Sequence, residues 1–333
     1  MTNNRDKEIE GTFVGKPSAQ ETFKKLSQKS VPSKTGDQQD SLGDKINEAL
    51  FYIHKIKNGM SVKTGENEAL TRIYTGQKMF VDTRDLSLAP HILLDGEWEP
   101  NISKILDRLI RPGCIMIDIG ASFGYFSIIA GRQMNRKKNP HIYLIEANPV
   151  FIPYLRKSLS INGLLELATI SNIGLSDRSE TITLNVLEDI WASSSAHDEV
   201  QLRRRIPFEF KVSNRISLKA ITLDEYAEKN GIREVDVIKM DIEGYEEKAY
   251  RGMTGIIENS PELIMLLEFN ELAYDNPEGF FKQIKQDFKC VYGVDNDLPH
   301  LQLLKEYQDI AAMNDRDWIM LVLSKKPLRG RFE

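Results

Sequence analysis

Cysteine is nearly absent from this chain of 333 residues. Cys114 and Cys290 both lie in apolar, strand-like runs, where a reduced thiol behaves as a small core residue, so a disulfide framework is not expected. No stretch is long and uncharged enough to span a bilayer, and the opening "MTNNRDKEIEGTF" lacks the apolar segment of a secretory signal. Excess positive charge is also missing. The net charge of -5 removes any global case for nucleic acid or an anionic membrane as a partner. The five histidines are scattered, and no His or Cys spacing marks a zinc site. What remains is 41% hydrophobic and 28% charged, the composition of a globular protein, and its expected setting is the cytoplasm.

Residues 1–40 are rich in Lys, Gln, Ser and Thr with little apolar periodicity, which predicts a disordered tail. An extension over 41–100 follows. It opens with Leu42, Ile46, Leu50, Ile53 and Ile56 at helical spacing, a helix able to pack on its own domain or on a second copy. Residues 101–333 read as one α/β domain. After a short helix near 103–110 and a break at Pro112-Gly113, strand and helix patterns alternate: "CIMIDI", a helix from Tyr125, "HIYLIE", a helix from Pro149 to Asn162, "LATISNI". That alternation predicts parallel βαβ units. It is interrupted over about 180–215 by "ETITLNVL" and "FEFKVS", which flank the polar residues 188–205 and predict an inserted hairpin or lid. Order resumes with a Thr222/Glu225 capping box, "VDVIKMD", a helix after Gly244, and "ELIMLLE"; "CVYGV" and "WIMLVLS" close the chain as strands.

The turn after the first of these strands, "DIGASFGYF", admits three readings. Gly120, Ser122 and Gly124 spell the nucleophile elbow of a serine hydrolase, but no stretch nearby supplies an oxyanion hole. A dinucleotide turn needs G-x-G-x-x-G, and position 122 is serine. S-adenosylmethionine has no pyrophosphate to cradle; it needs a glycine bend, a carboxylate for its ammonium, and a strand-end carboxylate for its ribose hydroxyls. Asp118, the bend at Gly120 and Gly124, and Glu146 at the end of "HIYLIE", 22 residues beyond Gly124, meet all three needs.

In order and spacing, "MIDIGASFGYFSIIAG", "LIEANP", "NIGLSD", "ITLDEY", "VDVIKMDIEGYE" and "LLEFN" resemble the FkbM-family S-adenosylmethionine-dependent methyltransferases over about residues 80–270, with "KMDIEGYE" the most specific run. "FVDTRD" and "LDGEWEP" resemble the segment that precedes the domain in that family. The resemblance implies a Rossmann-like class I methyltransferase fold, a seven-stranded, mostly parallel sheet with the final strand reversed and helices on both faces. It implies that Asp118, Gly120 and Gly124 hold the methionine end of the cofactor, that Glu146 holds the ribose, that Asn172 lies near the adenine, and that Glu99 reaches the same site. Asp241, after the fourth strand, would face the transferable methyl as base or as orienting group, and Ser122 becomes a small turn residue.

Glu268, ending "LLE", is a second strand-end carboxylate for acceptor binding, and His197 in the polar insert is a candidate to touch substrate. Glu243 and Glu246 read as cap or dipole-complementing acids, and Arg203-Arg204-Arg205 as a solvated face or a receiver of an acidic acceptor. Paired carboxylates admit Mg²⁺, although such pairs more often bind hydroxyls, so no metal ligand is assigned. The expected function is O-methylation of a hydroxyl on a saccharide or natural product, a small-molecule or glycan acceptor. N- or C-methylation on the same fold and a non-catalytic cofactor-binding module are the alternatives.

Overall fold

The computed structural model describes residues 61–206, 208–295, 299–313 and 318–328, all within the compact unit Leu50–Glu333. The expected tail and the expected helix over 42–56 lie outside these residues. The described part of the extension opens with a meander of β1 (Val62–Lys63), β2 (Glu68–Arg72) and β3 (Lys78–Asp82). It rests on the helix Ile152–Ile161, whose Tyr154 hydroxyl donates to Asp82 at 2.5 Å and whose Ser158 hydroxyl accepts from the Phe80 amide at 2.9 Å.

The apolar runs form the main sheet. β4 (Ile115–Ile119), β5 (His141–Ile145), β6 (Ala168–Ser171), β10 (Val237–Met240) and β11 (Ile264–Asn270) pair in parallel in the order β6-β5-β4-β10-β11. β14 (Trp318–Ser324) lies antiparallel between β11 and β12 (Cys290–Val294). These are the seven strands expected, with the final one reversed. An eighth corrects that number: β13 (Leu301–Leu303) pairs with the outer edge of β12. A three-residue "LQL" segment carries no periodic signal and is defined by its partner alone.

Alternating side chains of the sheet face two cores. On β4, Met116 joins the helices Pro100–Leu109, Tyr125–Gly131 and Ile152–Ile161, while Ile117 and Ile119 join Leu223–Asn230, Glu246–Arg251 and Pro277–Asp287. Both faces being covered, the strands are mostly apolar, with Asp118, Lys239 and Glu268 the charged exceptions on β4, β10 and β11, and each buried Ile or Leu contributes roughly 1.5–3 kcal/mol.

The insert builds a second small sheet from β7 (Gly174–Leu175), β8 (Glu180–Leu187) and β9 (Val212–Ile221), with β8 and β9 as an antiparallel hairpin. β9 starts at Val212, so "FEFKVS" is strand only at its end. Between the hairpin strands stands a helix, Glu199–Arg205, opened by a complete capping box of Asp198 and Gln201. At Thr222 half of the expected box forms: Thr222 accepts the Glu225 amide at 3.0 Å, while the Glu225 side chain pairs with Lys229.

Candidate active site

β4 ends at Ile119 and the chain turns at Gly120 with φ of +77°. A Cβ there would stand 1.8 Å from the carbonyl oxygen of Asp241, so glycine is what lets the ends of β4 and β10 approach. Gly124, at φ +88°, starts the next helix and leaves room for Leu155, which a Cβ would meet at 2.7 Å. Between them Ser122 turns its amide onto Glu146 Oε2 at 2.7 Å, and the Asn148 amide reaches Oε1 at 2.7 Å. Each oxygen of Glu146 keeps acceptor capacity beyond its one amide.

Glu146 is 7% exposed. Burial pushes its carboxyl up to about 7, with the two amide bonds working against the rise. A folded-state value above the ordinary 4.5 means that this group favours folding below that pH and that the contribution is lost as pH rises through 7. Asn172 donates to the carbonyls of Glu146 and Ala147 at 2.8 and 3.0 Å, so it fixes the chain that carries Glu146.

Gly120, Ser122, Glu146, Asn148, Asp241, Glu243 and Tyr245 line one cavity that opens to solvent. Ile182, Leu184 and Trp191 of the insert complete its wall. Asp85 of the extension steadies that wall by accepting the Trp191 amide at 3.1 Å while it also accepts those of Leu88 and Ala89. Ser122 Oγ and Asn148 Nδ2, on residues that line the cavity, and Asp118 Oδ1, on β4 just before its turn, are buried without a hydrogen-bond partner. Among the described residues no histidine bonds the Ser122 hydroxyl, while its amide serves Glu146.

Among the expected acids stands a buried cation that sequence reasoning missed. Lys239, 3% exposed on β10, stands in register beside Asp118 of β4. Its Nζ donates to Asp241 Oδ2 at 2.9 Å and lies 4.8 Å from the centre of the Phe126 ring. Burial works against its charge, but Asp241, Asp118 and Glu99 overcome that and hold Lys239 above its ordinary value. Asp118 itself, bonded by the Ser127 hydroxyl at 2.6 Å, is raised by burial despite Lys239. Glu99 opens the helix Pro100–Leu109 at φ +43°, close enough for its charge to act on Lys239.

Arg203 and Arg204 are exposed, as a solvated face requires, but Arg205 corrects that expectation for itself: its side chain is 7% exposed and forms an ion pair with Glu243. Burial opposes its charge, and Glu243, Glu268 and Glu246 hold it above its ordinary value. The insert is bonded to this turn twice more, through Ser195 Oγ to the Glu243 carbonyl and His197 Nε2 to the Gly244 carbonyl, each at 2.7 Å. His197 is thus a strut at the turn and does not line the cavity that holds Glu146. Glu246 accepts the Ile242 and Gly244 amides at 2.7 and 3.1 Å, closing the turn from inside. Carboxylate oxygens of Asp241, Glu246 and Glu268 lie within 4.8 Å of one another. Burial, then the charges of Asp241, Glu243 and Glu246, raise Glu268 well above the carboxylate range. Arg205→Ala, which strands Glu243, is expected to cost about 3 kcal/mol of stability, read by denaturant unfolding.

Among the described residues no helix is long and apolar enough to cross a membrane. No curated protein matches the chain. Among solved structures it is similar to a precorrin-6y C5,15-methyltransferase from Geobacter metallireducens, with 13% identity, TM-score 0.35, and coverage of 69% of this chain and 88% of the other. It is similar to the methyltransferase FkbM from Methylobacillus flagellatus at 14% identity and TM-score 0.38, covering 70% and 52%. It is also similar to an O-methyltransferase from Bacillus cereus in complex with SAH, at 12% identity and TM-score 0.39, covering 69% and 83%. The model of the methyltransferase FkbM domain matches residues 118–307, more than half of the chain, so this chain belongs to the FkbM methyltransferases.

Proposed function

We propose that the cavity at the ends of β4, β5 and β10 binds S-adenosylmethionine, the cofactor of this methyltransferase, and that the enzyme methylates a hydroxyl of a saccharide or natural product. One observation carries the donor site: Glu146, Asp241 and Glu243 all line the cavity, with Asp118, Lys239 and Arg205 near enough for their charges to act on these acids. Such an acid-rich floor favours a cationic donor and disfavours a pyrophosphate. The orphaned Ser122, Asn148 and Asp118 atoms are the sort a polar ligand satisfies. Asp118 and Glu99 would hold the donor's ammonium, with Gly120 and Gly124 forming the bend beside it. Glu146 would hold the ribose, and Asn172 would shape the adenine end by fixing Ala147.

When bound, S-adenosylmethionine supplies a methyl carbon activated by a positive sulfur. The chain's own task is alignment, since in-line displacement gains chiefly from positioning. Asp241 orients the acceptor hydroxyl and holds its proton; Glu268, with His197 steadying the turn, completes the acceptor side. Arg205 already supplies positive charge at the acid cluster, so no divalent metal belongs to this proposal. A small neutral acceptor suits the acidic floor better than a nucleic acid does, and the two buried free cysteines support the cytoplasm as its setting.

The test is incubation with methyl-labelled S-adenosylmethionine and a pool of saccharides and hydroxylated natural products. Label in a methyl ether is the expected result; label on nitrogen or carbon, or donor binding without turnover, would overturn the O-methylation. Because an ionised Glu146 accepts ribose hydroxyls better, S-adenosylhomocysteine affinity is expected to rise several-fold between pH 6 and pH 8 in calorimetry.

A further inference from the structure

Lys239 occupies a costly place for a lysine. It sits in the middle of the parallel sheet, 3% exposed, on a strand whose other residues are also buried. Its Nζ bonds one oxygen of Asp241, Oδ2, while Asp241 also lines the cavity. On the neighbouring strand it faces Asp118, which retains a buried oxygen without a partner. The ammonium that bonds the acceptor-side acid thus also stands within reach of the donor-side acid's charge, with no bond to it.

We propose that Lys239 is a positioning residue that sets how strongly the cavity separates the cationic methyl donor from its neutral product. This rests on the donor site argued above. The ammonium pins Asp241 in one orientation and withholds part of that carboxylate's field from a positive sulfur at the cavity floor. Without it, Asp118, Glu99 and Asp241 act on the donor undiminished by a neighbouring cation, with Glu243, Glu246, Glu268 and Arg205 beyond them. S-adenosylmethionine and S-adenosylhomocysteine share adenosine, ammonium and carboxylate and differ in the sulfur's methyl and charge. A charge effect therefore changes the ratio of their affinities, whereas a structural defect weakens both alike.

The experiment is calorimetry of both ligands on the full chain, for the wild type and for K239Q, K239R and D241N. In K239Q the preference for S-adenosylmethionine over S-adenosylhomocysteine is expected to rise about tenfold, K239R to restore the wild-type ratio, and D241N to lower it. Should K239Q fail to fold, K239M, which also removes the ammonium, carries the test with the same expected rise, while D241N reports only on the carboxylate that the lysine offsets. An unchanged ratio in the folded variants would overturn the role of Lys239 and leave the donor site standing. A wild type that binds neither ligand would overturn the donor site and this inference with it.

Discussion

Glu146→Ala is expected to weaken S-adenosylhomocysteine binding about 100-fold. The carboxylate is the proposed partner of two ribose hydroxyls, and charge-assisted hydrogen bonds of about 1.5 kcal/mol each sum to roughly the 2.7 kcal/mol of a hundredfold change. Alanine also releases the amides of Ser122 and Asn148, which now meet on the two oxygens. Glu146→Gln separates these effects. It keeps the volume but presents an NH₂ group to one of those amides, so a loss of at least tenfold is expected with the fold intact. Isothermal calorimetry, with circular dichroism as a check on folding, reads both variants; equal affinity in wild type and Glu146→Ala would remove the ribose assignment.

Gly120→Ala is expected to be the most destabilising single methyl in this part of the molecule. The added carbon would meet a backbone carbonyl at 1.8 Å, and backbone cannot swing aside as a side-chain tip can. With the left-handed backbone strain added, a loss of about 4 kcal/mol follows, on the order of 10 °C in melting temperature. Gly163→Ala and Gly231→Ala are the controls. Both have φ of +67° with nothing within 4 Å of a Cβ, so they carry the strain without the clash and should lose about 1 kcal/mol. If Gly120→Ala melts like these two, the close approach of β4 and β10 is not what glycine serves there.

Much of the frame was legible because buried parallel strands announce themselves as apolar runs. "WIMLVLS" became β14 and "CVYGV" became β12 with the expected bounds, and Glu146 stood out as an acid closing such a run. The short edge strand β13 was not legible, since its place depends on a partner distant in sequence. Arg205 was missed for a different reason. A hairpin or lid over 188–205 leaves the arginines on a polar face, whereas Asp198 and Gln201 have capping-box spacing and start the helix that carries Arg205 inward. Lys239 left a signal that went unused: a lysine inside "VDVIKMD", a run apolar enough to be a central strand, must find a carboxylate when that strand is buried. Asn172 was placed beside the adenine by resemblance, and its hydrogen bonds to the end of β5 appear only once β5 and β6 are paired.

The account turns on the cavity beside Gly120 being the donor site, and a crystal structure with S-adenosylhomocysteine bound tests it most directly. The predicted result has both ribose hydroxyls within hydrogen-bonding distance of Glu146 and the sulfur on the side of Asp241. A ligand seated elsewhere, or a ribose held by groups other than Glu146, would contradict it.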